Sequence, residues 1–490
     1  MPVTGNRLRP WAAVAAALGA ALTLTSPAAN AEQPAADPLA LWTRTSTVRI
    51  AAGVTRTTWT EKVDLQTGTS PDNRVEPRIL QIVEIDPTAG ALTLESTVGA
   101  SDGAAEKVID QLAQVSAPTR HPYAGVNGGL FQLEPAGSGA DVPVHSGVSA
   151  TDGVLHSSSC WTGGKGSTGA VIQYGTPYIT KLRTDLKLIG PSGETVRIDD
   201  FNRTPGRPTH CARDAEDTLV SAKPYVYTDP DEIVVFTDDY GLPVPRPGTD
   251  PKVVATTDAG FEVAVDAHGV VTKVREGRGG TVVPAGGRII QGIGTGAQWL
   301  RDRLAVDDRV TIDQKLHDVT LDRDIPLDDS VDVVSSFHQL LRNGAIPAEL
   351  PRSCSEERTG KNGTTPICID SRTALGTNVY GRPVLATLSG ETTEDGVYQE
   401  ANEDGAYLRD FATLLSDPDL GIIDAINLDG GGSTTLVTRT ATGPVVNTPP
   451  TDRASSAFVH RKVADSVYTG VGGGGGRDNN TPLGGGGGGG

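Results

Sequence analysis

The chain has 490 residues, and its 60 acidic side chains outnumber its 42 lysines and arginines, which gives a formal net charge of −18. An acidic surface of this kind repels polyanions, so nucleic acid is excluded as a partner except where a local basic site overrides the field. The length suffices for one large or two ordinary domains with ample core, although aromatic residues make up only 4% of the chain.

The first 31 residues have the pattern of an export signal. Arg7 and Arg9 precede an apolar stretch over residues 11–24, and the small residues 29–31 provide a cleavage site. Cleavage after Ala31 would remove two arginines and no acid, which takes the formal net charge from −18 to about −20. No apolar stretch is long enough for a transmembrane helix. We therefore expect a secreted, extracellular protein without a membrane span.

The elements that follow are mostly strands. Residues 32–75 are polar and rich in threonine, and they are predicted to form a strand or two that pack onto the main domain. β-Branched and alternating apolar residues predict strands over residues 78–86, 91–97, 232–237 and 310–313, and a hairpin over residues 261–274. Apolar residues at helical spacing predict helices over residues 104–114, 297–304, 331–341 and, most clearly, 406–415.

This mixture predicts an α+β fold with a large mixed β-sheet core, a few packed helices and a single main domain over residues 76–465. Residues 466–490 are rich in glycine and cannot bury apolar area, so they are predicted to form a disordered tail.

Four cysteines are an even number in a chain with an export signal, and disulfides are the natural interpretation. A bond between Cys354 and Cys368 is favoured because it closes a short loop, which leaves Cys160 to pair with Cys211. The other two connectivities stay open. Paired Cys-x-x-Cys spacing is absent, so no zinc site is expected.

No metal or other cofactor is expected elsewhere in the chain. Acidic pairs in turn-like contexts are interpreted as solvated turns, with structural calcium as the open alternative. These pairs are Asp199-Asp200, Asp238-Asp239, Asp307-Asp308 and Asp328-Asp329.

The most informative segment places one acid and three glycines between two apolar stretches. Residues 422–428 and 434–438 are predicted strands, so Asp429 and the glycines 430–432 occupy a sharp connection. Glycines can turn successive backbone N–H groups into a concavity that suits an anion, and a carboxylate at its lip suits proton transfer. The alternative is a glycine-rich turn, capped by an aspartate, with no catalytic role.

Four segments, in their order along the chain, resemble the phosphodiester glycosidase family. They are the Asn-Gly-Gly-x-Phe segment at 125–131, the Arg-Thr-Ala-x-Gly segment at 372–376, the glycine run at 425–437 and the acidic-Arg pair Asp452-Arg453. The resemblance covers residues 75–462. Two segments depart from the family pattern: residues 335–341 lack a Gly-Gly-Pro turn, and a later strand ends Leu388-Ser389-Gly390 rather than in Asp-Gly.

The resemblance implies removal of a sugar from a phosphodiester, a reaction that needs donors for the phosphate and a carboxylate near the anomeric carbon. Asp429 is the first choice for the acid/base, Arg372 for a bidentate grip on the phosphate, and Asn127 for a phosphate oxygen or a sugar hydroxyl. The other residues assigned to substrate or phosphate binding are Gly128, Gly129, Asn427, Gly430, Gly431, Gly432, Ser433, Thr434 and Arg453. A solvent or loop role is predicted for His145 and His338.

These assignments describe a secreted hydrolase that cleaves sugar-1-phosphodiesters, with a sugar phosphodiester or a cell-wall or exopolysaccharide glycan as its partner. The first alternative is a non-catalytic glycan- or wall-binding protein on the same scaffold. The second is an ordinary glycoside hydrolase with two carboxylates, which would need no phosphate.

Overall fold

The computed structural model describes residues 37–62, 77–115, 121–135, 141–221, 225–250, 252–352, 370–390, 405–450, 452–454 and 457–471. From Pro38 onward the chain groups into one compact unit. The predicted export signal, the predicted pair Cys354 and Cys368, and the predicted tail beyond Val471 lie outside the described residues. Within those ranges, no helix has both the length and the apolarity that crossing a membrane requires.

Strands account for most of the structure. The strands are β1 Trp42–Ala51, β2 Val54–Glu61, β3 Arg78–Ile85, β4 Leu92–Thr97, β5 Pro122–Asn127, β6 Phe131–Pro135, β7 Asp141–His145, β8 Ser149–Thr151, β9 Val154–Ser157, β10 Ser167–Gln173, β11 Thr176–Ile189, β12 Thr195–Arg197, β13 Asp200–Phe201, β14 Thr218–Leu219, β15 Tyr227–Thr228, β16 Ile233–Thr237, β17 Phe261–Val265, β18 Val271–Glu276, β19 Arg288–Gly292, β20 Thr311–Asp318, β21 Arg323–Ile325, β22 Val331–Ser335, β23 Gln339–Leu341, β24 Arg372–Asn378, β25 Pro383–Gly390, β26 Ile422–Asn427, β27 Leu436–Thr440, β28 Gly443–Val446, β29 Asp452–Ala454, β30 Ala457–Val459 and β31 Ser466–Val471.

The α-helices among the described residues are α1 Val108–Gln114, α2 Gly294–Arg303 and α3 Leu408–Leu415. Short 3-10 helices are formed by Pro87–Ala89, Asp238–Tyr240, Val254–Thr257 and Gly431–Ser433. The α+β class and the single main domain are therefore confirmed.

Four larger sheets carry most of these strands, and β6-β7, β14-β15 and β29-β30 form three two-stranded sheets. The seven-stranded sheet has the order β1-β2-β3-β25-β24-β26-β23, and the eight-stranded sheet has the order β21-β20-β11-β10-β22-β8-β9 with β12 beside β11. A five-stranded sheet, here called the closing sheet, has the order β28-β27-β5-β31-β4, and another, the insertion sheet, has the order β13-β16-β19-β17-β18. Of the strand pairs in the described residues, β13 with β16 is parallel and the others are antiparallel.

One apolar cluster joins three of these sheets. Ile426 comes from the seven-stranded sheet, Val126 and Val467 from the closing sheet, and Val334 from the eight-stranded sheet, and all four are fully buried. Burial of each such side chain contributes about 1.5 to 3 kcal/mol, so the cluster fixes the three sheets against one another. The cluster thereby fixes the ends of β5 and β26, which lead into the Gly128-Gly129 segment and the glycine turn.

Two sequence predictions about elements are wrong. Residues 331–341 are not a helix: Val331–Ser335 pairs with β10 and β8, and Gln339–Leu341 pairs with β26 in a different sheet. The β-branched residues of the first part suit a strand buried on both faces, and this tertiary context overrides the apparent helical spacing. The predicted tail boundary at residue 466 is also wrong, because Ser466–Val471 is a strand between β5 and β4.

Candidate active site

The glycine turn follows the end of β26 and brings backbone and charged side chains unusually close. Gly431 has a φ of +60°, a conformation that glycine adopts without strain. A Cβ atom on Gly431 would lie 3.0 Å from Asp370 Oδ1, and one on Gly432 would collide with the Asp452 carboxylate and the Arg461 guanidinium. Glycine is therefore required here so that two carboxylates and an arginine can pack against the turn.

Asp429 is anchored by four hydrogen bonds. Its Oδ1 accepts the Gly430 N–H at 3.0 Å, and its Oδ2 accepts the Ser433 hydroxyl at 2.5 Å. Its backbone N–H donates to Gly128 O at 3.0 Å, and its carbonyl accepts Asn127 Nδ2 at 2.8 Å. The residue keeps a partly exposed surface. The carboxylate is thus held in one orientation but stays accessible, as proton transfer requires.

The surroundings of Asp429 raise the pKa of its carboxyl group towards neutral pH. Burial raises the pKa of Asp429 to about 6, and the negative charge of Asp370 adds to that rise. The Ser433 hydroxyl, the Arg461 charge and the Gly430 N–H act in the opposite direction. A carboxyl with a pKa near 6 is mostly ionised at neutral pH but is readily protonated, which suits an acid/base role.

Asp370 is a second carboxylate that the sequence predictions did not include. It immediately precedes the Ser371-Arg372-Thr373 segment, and its carbonyl accepts the Ala406 N–H at 3.0 Å. Its carboxylate lies against the glycine turn and raises the pKa of Asp429. Its position beside the predicted Arg-Thr-Ala-x-Gly segment was the signal that could have identified it.

The arginine that reaches the turn is Arg461, which the sequence predictions also missed. Its Nη1 donates to Ser433 Oγ at 3.3 Å, while its Nε and Nη2 contact Asp452 Oδ2 at 2.6 Å and Oδ1 at 2.7 Å. Of the predicted pair Asp452-Arg453, the structure therefore brings Asp452 to the site as the partner of Arg461. The backbone of Arg453 lies in β29, and its side chain is outside the described residues.

Arg372 begins β24 and is buried. Its Nε donates to Ala406 O at 2.8 Å, which fixes the plane of the guanidinium. Burial, reinforced by the positive charges of Arg372 and Lys181, lowers the pKa of His338 to about 4. Positive side chains therefore gather around a neutral His338, which lies in the loop between β22 and β23 and is partly buried, in agreement with the predicted loop position.

Asn127 holds the turn in place through its side-chain amide. It is 0% exposed, and its Oδ1 accepts the Thr373 hydroxyl at 2.8 Å and the Thr435 N–H at 3.1 Å. Its Nδ2 donates to Asp429 O. The amide thus positions the residues that flank the site, and the contact of Asn127 with phosphate or sugar stays a prediction.

The predicted N–H cradle for phosphate stays a prediction, and most of its N–H groups have partners within the protein. In the glycine turn, Gly430 N donates to Asp429, Gly431 N to Ser371 O at 2.8 Å, Ser433 N to Gly430 O at 3.2 Å and Thr434 N to Gly431 O at 3.0 Å. These four N–H groups stabilise the turn itself, since each already has a protein acceptor. The side chains of Ser433 and Thr434 are buried as well.

Two further predicted binding elements have internal partners. Gly128 N donates to Asp465 O at 2.8 Å, and Gly129 N donates to Asp465 Oδ1 at 2.9 Å. Asn427 is buried, and its Nδ2 donates to Leu428 O at 2.6 Å. The Asn427 Oδ1 atom is buried without a hydrogen-bond partner in the described part of the chain. Substrate binding by these residues stays a prediction.

A buried charge network lies behind the Gly128-Gly129 segment. His145 Nε2 is 2.9 Å from Asp102 Oδ1, and His145 Nδ1 is 3.9 Å from Asp465 Oδ2. Burial opposes a charge on His145, but the hydrogen bond and charge of Asp102 outweigh it and raise the pKa of His145. The solvent or loop role predicted for His145 is therefore wrong. Asp465 links this network to the segment that accepts the Asp429 N–H.

The predicted disulfide between Cys160 and Cys211 is confirmed, with Cα atoms 5.5 Å apart and 51 residues between the two positions. We expect the double substitution Cys160→Ala and Cys211→Ala to lower the free energy of unfolding by on the order of 2 kcal/mol, because the unfolded chain gains conformational freedom. Denaturant unfolding with and without reductant measures this. An unchanged midpoint in the variant would contradict a stabilising role.

The acidic pair Asp199-Asp200 is not a solvated turn. Asp200 is fully buried and accepts Arg203 Nε at 2.8 Å and Arg213 Nε at 2.7 Å. Nearby, single carboxylate oxygens of Asp214, Asp217 and Asp229 lie within 4.8 Å of one another. Structural calcium at the acidic pairs stays an untested alternative.

Residues 259–469 match the sequence model of the phosphodiester glycosidases. This match makes the second half of the chain similar to the phosphodiester glycosidases. A segment of 158 residues is 30% identical to N-acetylglucosamine-1-phosphodiester alpha-N-acetylglucosaminidase from Bos taurus, and covers 32% of this chain but only 27% of the bovine enzyme. The chain thus matches about a quarter of the length of that relative.

Solved structures extend the likeness of fold to most of the chain. A protein from Burkholderia pseudomallei K96243, whose name assigns it to export, superposes with a TM-score of 0.67 over 87% of this chain and 96% of that chain, at 19% identity. A hypothetical protein from Synechocystis superposes with a TM-score of 0.56 over 86% of this chain and 63% of that chain, at 15% identity. The likeness of fold therefore extends beyond residues 259–469, which match the family model.

Proposed function

We propose that this protein is a secreted hydrolase that cleaves the glycosidic bond of a sugar-1-phosphodiester, releasing free sugar and a phosphomonoester. The observation that carries the proposal is the Asp429 carboxyl, with a pKa of about 6, held on a glycine turn between Asp370 and Arg461. A carboxylate pair beside cations suits a reaction that develops positive charge on a sugar and negative charge on a phosphate.

Asp429 acts as the general base in this proposal. Water attacks the anomeric carbon, and a proton of this water passes to the ionised Asp429 carboxylate. The bond between the anomeric carbon and the phosphate oxygen breaks. The phosphate keeps the bonding electrons and leaves as a phosphomonoester. Because the second pKa of a phosphomonoester is about 6, this leaving group needs no proton near neutral pH. One carboxyl for proton transfer is then sufficient.

Asp370 supplies the second carboxylate. Its negative charge near the same turn stabilises the positive charge that develops at the anomeric carbon in an oxocarbenium-like transition state. The hydroxyl of Ser433 is buried and already donates to Asp429, so it orients the base rather than attacking the substrate.

Arg372, Arg461 and Lys181 provide local positive charge in a chain whose formal net charge is −18. Arg461 is oriented by its two contacts with Asp452, and Arg372 by the Ala406 carbonyl. Fixed guanidinium groups bind phosphate more strongly than mobile ones because less conformational entropy is lost on binding.

The proposed substrates are cell-wall or exopolysaccharide polymers that contain sugar-1-phosphate diesters. Three observations support secretion: the signal-like residues 1–31, the Cys160–Cys211 disulfide, which suits an oxidising compartment, and the exported name of a protein with the same fold. The domain boundaries at residues 31 and 75 stay part of the proposal.

The test is release of free sugar from methyl and nucleotide esters of N-acetylglucosamine-1-phosphate, with an aryl N-acetylglucosaminide as the arm without phosphate. Sugar released from the phosphodiesters alone supports the proposal. Equal release from the aryl glycoside would favour an ordinary glycoside hydrolase. Retention on wall polymer without release from any probe would favour the non-catalytic glycan-binding alternative.

The pKa of Asp429 predicts the pH dependence of the reaction. Because the ionised carboxylate is the active form, we expect kcat/KM to rise tenfold per pH unit below pH 6 and to level off above it. A pH–rate profile on a soluble phosphodiester measures this. A rate that instead falls as the pH rises through 6 would show that Asp429 is needed in its protonated form, as a general acid.

A further inference from the structure

A second cleft opens beside the disulfide, on the side of the eight-stranded sheet. It has a volume of about 280 Å³ and is lined by residues 158–162 and Gly164, by residues 183–186 of β11, by residues 197–199 and by Arg213. None of these residues belongs to the glycine turn or to the segments that surround Asp429. The cleft is therefore separate from the candidate active site in its composition.

Trp161 is the most distinctive side chain in this cleft. It is 50% exposed, whereas Trp42, Trp59 and Trp299 are all more buried. Its backbone is not loose: Trp161 N donates to Ala212 O at 2.7 Å, and its neighbour Cys160 is bonded to Cys211. An indole that is exposed on a fixed backbone presents a flat apolar face at little entropic cost, and this face matches the C–H side of a pyranose ring.

The charges of the cleft are compensated except at one position. Asp185 pairs with Lys187 at 2.8 Å, and Arg197 Nη1 pairs with Asp214 Oδ2 at 2.7 Å. Asp199 Oδ2 accepts the Ile233 N–H at 2.7 Å. Arg183 is exposed and has no ion pair among the described residues. The uncompensated charge of the cleft is thus positive, although the chain is acidic overall. A positive charge without an ion pair favours a ligand with an anionic group.

We infer that this cleft binds an acidic sugar residue of a glycan, with the ring stacked on Trp161 and its carboxylate or phosphate group on Arg183. The Ser159 and Thr184 hydroxyls hydrogen-bond to each other at 3.1 Å and give the cleft a fixed polar wall. The ligand is a saccharide bound without cleavage. A site of this kind keeps the protein bound to its polymer, and it raises the effective concentration of the polymer's cleavable bonds near the candidate active site.

The full-length protein is titrated with a glucuronate-containing hyaluronan tetrasaccharide, with glucose 6-phosphate and with neutral N-acetylchitotetraose, and binding is followed by calorimetry and tryptophan fluorescence. We expect at least one acidic probe to bind and to change the fluorescence, and the neutral probe to bind at least about tenfold more weakly. Comparison of the two acidic probes distinguishes a uronic acid from a sugar phosphate as the ligand.

Trp161→Ala and Arg183→Gln should each weaken binding of the acidic probe by about tenfold or more, and Trp161→Ala should also remove the fluorescence change. Lys273→Gln, an exposed lysine of β18 outside the cleft, and Tyr174→Ala, another exposed aromatic residue, are the matched controls. Turnover of a small soluble phosphodiester should be the same in all four variants.

The inference is overturned if no acidic saccharide binds, if the Trp161 and Arg183 variants bind as the controls do, or if the neutral probe binds equally well. Both cleft residues have exposed side chains, so their substitution should leave the melting temperature unchanged. These outcomes are independent of whether the Asp429 site hydrolyses phosphodiesters.

Discussion

Asp429→Asn is expected to lower kcat on a sugar-1-phosphodiester by about three orders of magnitude, the usual scale for losing a positioned acid/base group. The amide cannot take the proton from water, although it keeps the size of the carboxylate. Binding of a non-hydrolysed phosphonate analogue should stay nearly intact, because removing a negative charge does not oppose an anion. Steady-state kinetics together with calorimetry of the analogue separate the two effects.

Asp424→Asn is the matched control for this prediction. Asp424 lies on the same strand, β26, and accepts the Asn343 N–H at 3.1 Å, away from the glycine turn. It should retain full activity. If Asp429→Asn were equally active, or differed from the parent protein only in melting temperature, Asp429 would be a structural residue of the turn and the catalytic assignment would be wrong.

Arg372→Ala is expected to raise the transition-state barrier by about 2 to 4 kcal/mol, seen as a fall in kcat/KM, if two contacts to the phosphate are lost. The Ala406 carbonyl holds the guanidinium plane in the parent protein. Arg372→Lys keeps the charge but loses the planar fork, so it should recover only part of the activity.

Arg382→Ala serves as the control for Arg372. Arg382 lies just before β25 in the same region of sheet, and its exposed side chain pairs with Asp86 at 2.7 Å. An exposed pair of this kind contributes little to stability, so the variant should behave as the parent protein. Because Arg372 is buried, its variants are compared per folded molecule. Unchanged kcat/KM in folded Arg372→Lys and Arg372→Ala would assign Arg372 to packing alone.

The sequence alone determined the local elements and the place of the chemistry. Hydrophobic periodicity located β3, β4, β16, the β17–β18 hairpin and the amphipathic α3, because these elements carry their pattern within a few residues. The glycine run predicted the turn at Asp429, because three adjacent glycines indicate a backbone conformation or a close contact that a Cβ atom would prevent. The favoured pairing of Cys160 with Cys211 was one of three connectivities open to four cysteines, and the structure selects it.

Only the tertiary structure decided which residues meet at that turn and what each one does there. Asp370 and Arg461 reach Asp429 from segments that are 59 residues before and 32 residues after it in the chain, and no local pattern encodes such an approach. Asn127 and the glycines 128–129 have the residue types of ligand-binding groups, yet their hydrogen bonds are made to Thr373, Thr435 and Asp465. Whether a polar side chain can bind substrate or instead stabilises the fold depends on its hydrogen-bond partners. Contacts between the sheets determine which partners it has.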